Sequence, residues 1–279
     1  MQLLAPAKIN LFFEIKGRRS DGFHEIETLM APTSLSDRLT IEKEPDGKKA
    51  LHFSCDDPSL PAGDDNLVVR AVKIFREKTG IDGGVRIALE KIIPHGAGLG
   101  GGSSDAAATL MGLNDLFGSN LNQEDLIELA AQLGSDVPFF LLRSAAICTG
   151  RGEIVSATRL PKNFFLLLAK PDFGVPTPWA YGCWKDSRPL PGMDYGAQEF
   201  SGARFVNDLE RPVFEKFVLL AHLKAWLRQQ EEVGAALLSG SGSTVFAVLH
   251  ENADPRALSE KICAEVDPRM WTLPCETLG

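Results

Sequence analysis

Five glycines in seven positions, followed by two serines and an aspartate, make "PHGAGLGGGSSDAAA" (94–108) the stretch of this chain richest in potential chemistry. Glycine loses more backbone freedom on folding than any other residue, so such a cluster marks backbone that turns sharply or meets something closely. The alternating segment "GVRIALEKII" predicts a strand ending at Ile93, and an alanine-rich helix is expected to start near Ser103. A helix start carries unpaired N–H groups and the positive end of the dipole, and so attracts anions. Glycines let the preceding backbone wrap a phosphate without side-chain clash. A bare strand-to-helix turn needs one or two glycines, not five.

Three familiar phosphate loops fail. Gly96 and Gly101 have the Walker A spacing, but Gly102 stands where lysine is required. Gly96, Gly98 and Gly101 match GxGxxG, yet a second helix follows where the dinucleotide fold needs a strand ending in an acid. "DFG" at 172–174 has no HRD loop upstream, which removes the protein-kinase reading.

The surrounding pattern predicts the elements that hold this loop. "KINLFFEIKG" reads as a strand ending at Gly17, and residues 18–44 as a loop, a strand, a turn and another strand. Asp64 or Asp65 is expected to cap a helix stopped by Gly80. Helices follow over 103–117 and 122–134, the second capped by Asn122 and stopped by Gly134. Two short strands flank "TGRGE", and "NFFLLLAKP" is another strand before a proline-rich stretch. "PVFEKFVLLAHLKAWLRQQ" reads as one helix, "GAALLSGSGSTVFAVLH" as strand, turn and strand, and the chain closes with a helix near 254–265 and a strand. A boundary near residue 155 gives two mixed α/β halves, 1–155 and 156–279.

The 279 residues suffice for a sizeable core, and a net charge of −8 argues against nucleic-acid or membrane-surface partners. No signal peptide is read at the N-terminus. The five cysteines (Cys55, Cys148, Cys183, Cys263 and Cys275) are odd in number and without a CxxC pair, which suits a reducing cytoplasm. No HExxH or Cys/His cluster suggests a protein-built metal site.

"PHGAGLGGGSS" resembles the second of three motifs of the GHMP kinase superfamily. The first is matched by "APAKINLFFEI" (5–15) and the third by "LSGSGSTVFAV" (238–248), in the right order. "RSDGFHEIETLM", "DNLVVRA", "LGSDVPFF", "GRGE" and "VPTPWAY" narrow the resemblance to the branch acting on a cytidine-diphosphate-linked methylerythritol in the non-mevalonate isoprenoid route. The chain departs from that branch at Asp105, where asparagine is common, and at Phe23, where tyrosine is.

The resemblance implies an α/β (α+β) fold of two domains about a central cleft, ATP-binding (1–155) and substrate-binding (156–279), and transfer of a phosphoryl group from ATP, with Mg²⁺, to a hydroxyl. Phosphoryl transfer asks mainly for positioning and charge stabilisation. Pro94, Gly96, Gly98, Leu99, Gly100, Gly101, Gly102, Ser103 and Ser104 then surround the triphosphate, either serine touching Mg²⁺. Ser239, Gly240 and Ser241 flank the phosphates, and Asn66 and Lys91 stand near the adenosine. Asp136 is the expected base for the acceptor hydroxyl, at a corner where Val137 before Pro138 is pushed into extended geometry. Lys8, costly to bury unpaired, is its expected partner. Phe23 and Tyr181 would stack on the cytosine, with His24, Asn10 and Thr177 bonding to the acceptor. Rival readings are another GHMP small-molecule kinase, for a mevalonate- or homoserine-type acceptor, and a non-catalytic nucleotide-binding regulator.

Overall fold

A computed structural model describes residues 1–44 and 50–279. Strands β1 (Gln2–Arg18), β2 (His24–Lys43) and β3 (Leu51–Cys55) precede helix α1 (Leu67–Thr79) and strand β4 (Val85–Glu90). Three helices follow, α2 (Gly101–Phe117), α3 (Gln123–Leu133) and α4 (Val137–Phe140), then β5 (Ala146–Gly150), β6 (Ile154–Ala157) and β7 (Phe165–Lys170). Next come α5 (Thr177–Cys183), β8 (Gln198–Phe200), β9 (Ala203–Asn207), α6 (Glu210–Lys216) and α7 (Val218–Leu227). The chain ends with β10 (Val233–Leu238), β11 (Val245–Leu249), α8 (Pro255–Glu265) and β12 (Trp271–Glu276).

One sheet of eight strands runs β3-β4-β2-β1-β9-β8, with β5 joined to β2 and β6 to β5; the other runs β10-β11-β7-β12. Helix α2 packs its apolar face on the first sheet beside Ile41, and α1 and α3 pack against α2 in the same core, which also holds Leu39 and Ile87. Helices α6, α7 and α8 cover the second sheet around Leu167, Ala236 and Ala247. A third core lies between the sheets, where Ala7, Ile9 and Leu11 of β1 meet Leu166, Leu168, Leu237 and Phe246. Burying a side chain such as Phe246 completely is worth about 1.5–3 kcal/mol. Ile93, Ala97 and Leu99 of the glycine loop belong to this same core, so the loop is anchored by its apolar residues. Residue 155 lies within β6, and β8 and β9 return from the second half of the chain to pair beside β1.

Several expected elements differ. Residues 24–43 form one strand, not two around a turn: β2 stays paired with β1 on both sides of a register shift, Pro6↔Ser36 giving way to Lys8↔Pro32. The extra residues bulge where Pro32 has no N–H for the ladder. The cap of α1 is Asn66, whose side chain accepts from Val68 N, while Asp64 pairs with Lys73. The helix expected over 212–230 breaks at Phe217, where φ −105° and ψ 69° leave helical space. The 122–134 helix has the expected ends, with a full capping box between Asn122 and Asp125. Among the described residues, no helix is long and apolar enough to cross a membrane.

Candidate active site

The glycine loop lies between β4 and α2. Gly96, Gly98 and Gly100 have φ of 63°, 76° and 71°, left-handed values that favour glycine. Two of them are also hemmed in by protein. A Cβ at Gly98 would lie 2.2 Å from the Ser239 carbonyl oxygen, and one at Gly100 2.9 Å from the Phe140 ring and 3.0 Å from Lys8 Cγ. Gly102 differs: it is exposed in the first turn of α2, and a Cβ there meets only Leu67 at 3.7 Å. Its open face and the unpaired N–H groups of that first turn have the form that an anion site at a helix start requires. The loop is tied to both neighbouring motifs. Lys8 N donates to Leu99 O (2.9 Å), Thr244 N to Ala97 O (3.1 Å) and Ser239 Oγ to Gly98 O (3.0 Å).

Lys8 sits on β1, its side chain buried, and its Nζ donates to Asn10 Oδ1 at 2.6 Å. Asn10 is fixed in turn by donating to Thr28 Oγ1 at 2.8 Å. Asp136 Oδ2 stands 3.8 Å from Lys8 Nζ, too far for a hydrogen bond but close enough to feel its charge. Burial pulls the Lys8 ammonium below its ordinary pKa, and the Asp136 carboxylate is the main force opposing that. Val137 does not take the extended geometry expected before proline. Asp136 instead stands at the N-terminal boundary of the short helix α4 with its side chain free of any capping bond, and Pro138 lies in the first turn, where a missing N–H costs nothing.

Two cavities meet at this pair. The first, of about 450 Å³, is walled by Pro94, Gly96, Gly98–Ser103, Lys8, Asn10, Asn66, Lys91, Gly240 and Ser241 among others. The second, of about 660 Å³, is walled by Phe23, His24, Arg18, Arg151, Trp184 and Lys185 among others. Ser103, Asp136, Thr177 and Tyr181 face both. Each volume is in the range of small-molecule sites.

The second cavity is aromatic and basic. Phe23 is 51% exposed, with the Arg151 guanidinium carbon 4.7 Å from its ring centre. Arg151 is 3.6 Å from Glu153. His24 lies between Tyr181 (5.2 Å) and Trp184 (5.8 Å). Burial, helped by Arg18, lowers the His24 pKa, so its ring is neutral at pH 7, one nitrogen donating and one accepting. Burial raises the Tyr181 pKa, and the phenol stays protonated. Thr177 Oγ1 and Ser241 Oγ, both on the wall of the first cavity, share a hydrogen bond of 2.8 Å.

Several expected residues have structural duties. Asn66 accepts from Val68 N and donates to Pro61 O, so both ends of its amide are used. The Lys91 ammonium pairs with Asp37 and Asp105, and these carboxylates outweigh burial to raise its pKa. Asp37 also accepts from Ile92 N and Ile93 N at the start of the loop. Burial above all pushes Asp105 up to about 7, and its Oδ1 has no partner. Ser104 and Ser239 are not on either cavity wall. Ser239 Oγ braces Gly98, while the buried Ser104 Oγ lacks a partner. The sequence reading missed Arg18, Arg151, Trp184 and the Asp37–Lys91–Asp105 cluster. Trp184 had a signal in its spacing, three residues after Tyr181 and hence on the same side of a helix. Among the described residues, no group of three or more His, Cys, Asp or Glu side chains is placed to hold a metal ion.

Comparison with known proteins matches residues 66–144 to the GHMP kinases N terminal domain and 200–267 to the GHMP kinases C terminal domain. The 4-diphosphocytidyl-2-C-methyl-D-erythritol kinase of Methylacidiphilum infernorum is 46% identical over 272 residues, covering 96% of this chain and 93% of that one. The enzyme of the same name from Protochlamydia amoebophila is 40% identical over 249 residues, covering 89% and 84%. A crystal structure of 4-(cytidine 5'-diphospho)-2C-methyl-D-erythritol kinase aligns over 100% of both chains with a TM-score of 0.80 and 39% identity. The mevalonate kinase of Methanococcus jannaschii shares the fold, with a TM-score of 0.71 at 12% identity over 100% of this chain and 98% of that one.

Proposed function

The chain belongs to the 4-diphosphocytidyl-2-C-methyl-D-erythritol kinases, within the GHMP kinases, and from that premise we propose that it phosphorylates a hydroxyl of 4-diphosphocytidyl-2-C-methyl-D-erythritol with ATP. The observation that carries the reading is the meeting of two cavities at Lys8 and Asp136. One is built around an anion cradle and the other around aromatic rings and arginines.

ATP takes the first cavity, its triphosphate against the N–H groups of Gly101–Ser103 and its adenosine toward Asn66 and Lys91. The cytidine of the acceptor takes the second, between Phe23 and Tyr181 and beside His24, with the methylerythritol reaching Asp136, Asn10 and Thr177. The Asp136 carboxylate accepts the proton of the acceptor hydroxyl as its oxygen bonds to the γ-phosphorus and the bond to the ADP oxygen breaks. The Lys8 ammonium and the loop N–H groups hold the charge that builds on the phosphoryl oxygens. Magnesium neutralises phosphate charge when bound, and it binds such sites chiefly through the phosphates and water. The described residues suit that mode, offering the Ser103 hydroxyl on the cavity wall and no cage of carboxylates. Residues 1–155 thus supply the phosphate loop and the reacting pair, and 156–279 supply Thr177, Tyr181 and the turn of Gly240 and Ser241. A cytoplasmic location fits the five free thiols.

A mevalonate- or homoserine-type acceptor leaves the aromatic cavity without an occupant, and a non-catalytic regulator leaves the Lys8–Asp136 pair without a task. The deciding experiment offers ATP with the cytidine-linked acceptor, mevalonate or homoserine and follows ADP release. Turnover is expected only with the first. Phe23→Ala and Tyr181→Ala should raise its KM about ten- to a hundredfold, from a loss of roughly 1–3 kcal/mol of stacking, while ATP affinity holds and Phe23→Tyr is nearly silent. Equal turnover of an acceptor lacking cytidine would overturn the assignment.

A further inference from the structure

The turn over 239–243 walls the nucleotide cavity through Gly240 and Ser241, and a Cβ at Gly240 would lie 3.2 Å from Lys8 Nζ and 3.3 Å from Asn10 Oδ1. It therefore stands beside the reacting pair. What fixes its backbone is Asn207, a buried residue at the end of β9. Its Nδ2 donates to Leu238 O and to Gly240 O, both at 2.8 Å, and its Oδ1 accepts from Leu209 N at 2.9 Å. The amide is fully engaged, and its two donors hold carbonyls on either side of Ser239. Asn207 is itself registered against β1, opposite Phe13. The support continues behind it: Glu210 Oε1 accepts from Leu238 N at 3.0 Å, and its other oxygen is buried against Lys224 Nζ at 2.6 Å.

The Gly240–Ser241 peptide is trans, so the Gly240 C=O and the Ser241 N–H point in opposite directions. The carbonyl is held toward Asn207, in the interior. The Ser241 N–H is thereby aimed away from Asn207, Ser241 lines the nucleotide cavity, and the N–H has no acceptor among the described residues. We propose that Asn207 is a positioning residue for phosphoryl transfer: by holding the Gly240 carbonyl it directs the Ser241 N–H at the γ-phosphoryl group in transit. Its action is indirect, since it touches neither nucleotide nor acceptor. The proposal rests on the kinase reading above and adds a donor from the turn packed against the glycine loop, so that the phosphoryl oxygens meet N–H groups from two segments of the chain.

Asn207→Asp keeps the shape and replaces both donors by an acceptor. Asn207→Ser keeps a single donor and introduces no charge. Removing a preorganised donor from a developing oxyanion costs about 10²–10³ in kcat. Misdirecting one should lower kcat by at least about tenfold in either variant, with the KM of the cytidine-linked acceptor unchanged. The same variants should lose at least about tenfold of the preference for ATP over ADP, measured by titration. A purely structural residue would lower the melting temperature and weaken both nucleotides alike. In the unmutated protein, the ¹⁵N amide resonance of Ser241 should move with a non-hydrolysable ATP analogue and stay in place with ADP, a test that does not depend on variants folding. An unmoved Ser241 resonance, or folded variants with normal kcat and an unchanged ATP:ADP ratio, would overturn the role of Asn207. Absence of turnover by the unmutated protein would instead count against the kinase reading.

Discussion

Asp136→Asn removes one charge and leaves the shape of the site almost untouched. Its effect divides into two parts. As the proton acceptor, the carboxylate should contribute about 10²–10⁴ to kcat, or roughly 3–5 kcal/mol in the barrier. As the counter-charge of Lys8 it matters less. At 3.8 Å, with an effective dielectric constant of about 20, the pair amounts to roughly 4 kcal/mol. The Asp136 side chain is 36% exposed, which reduces that to about 1–2 kcal/mol. The kinetic effect exceeds the stability effect, so the variant should remain folded, bind ATP nearly as before and turn over at least a hundredfold more slowly. A second signature follows from Lys8. Its folded pKa lies below 10.5 because of burial, with Asp136 as the main restraint. Between the folded and unfolded values the native state holds fewer protons, so stability rises with pH across that window. Removing the carboxylate lowers the folded value further and extends the window downward. The melting temperature of the variant should therefore climb more steeply than that of the unmutated protein between pH 7 and 10. Steady-state ADP release, an ATP titration and melts at several pH values make the complete test. Turnover within about threefold of the unmutated protein would remove Asp136 from the chemistry, and identical pH slopes would refute the electrostatic coupling.

Two more substitutions probe the loop and its backing. Gly102→Val should fold normally and weaken ATP by a hundredfold or more, because its Cβ meets only Leu67 on the protein side; Gly100→Val should instead unfold at lower temperature, since φ is 71° and the Phe140 ring is 2.9 Å away. Unchanged ATP affinity in the first variant would show that the cradle holds no phosphate. Asp105, raised by burial to about 7 from 3.8, contributes stability that is complete at acid pH and is lost as pH rises toward neutrality. Asp105→Asn has no such dependence, so its melting temperature relative to the unmutated protein should be higher at pH 8.5 than at pH 5, and an equal difference at both would contradict that origin.

What the sequence made legible was local. The three motifs, the Asn122 capping box and the β10–β11 hairpin (Val233–Leu249) are each written within a short stretch of chain, where spacing and turn chemistry act directly. Asp136 was found, but its backbone was misjudged: packing of the buried Val137, Phe139 and Phe140 made Pro138 a helix starter. β8 and β9 escaped notice because three- and five-residue strands carry little pattern, and pairing with β1 completes them. The Asp37–Lys91–Asp105 cluster joins groups 54 and 14 residues apart, and Arg151 meets Phe23 only through the pairing of β2 with β5. No period or spacing encodes such meetings. Lys91 is singled out by the sequence only as a neighbour of the adenosine, and Asp105 only as a charged residue at a position where the family favours an amide.

The bond from Ser239 to Gly98 joins positions 141 residues apart, and Thr244 closes on Ala97 beside it. During synthesis at about 5–20 residues per second, the glycine loop leaves the ribosome roughly 7–28 s before the turn that braces it. Until then Gly98 lacks the backbone it packs against, and the loop has no reason to hold its bound shape. Nucleotide therefore cannot assist the early folding of this chain, since ligand stabilisation accrues only to a state that binds. Fragments ending before residue 239 should be blind to ATP however well their first sheet has formed. Nucleotide affinity becomes a marker that translation has passed the last motif, and in a cell rich in ATP a finished copy gains protection from unfolding that a truncated one does not.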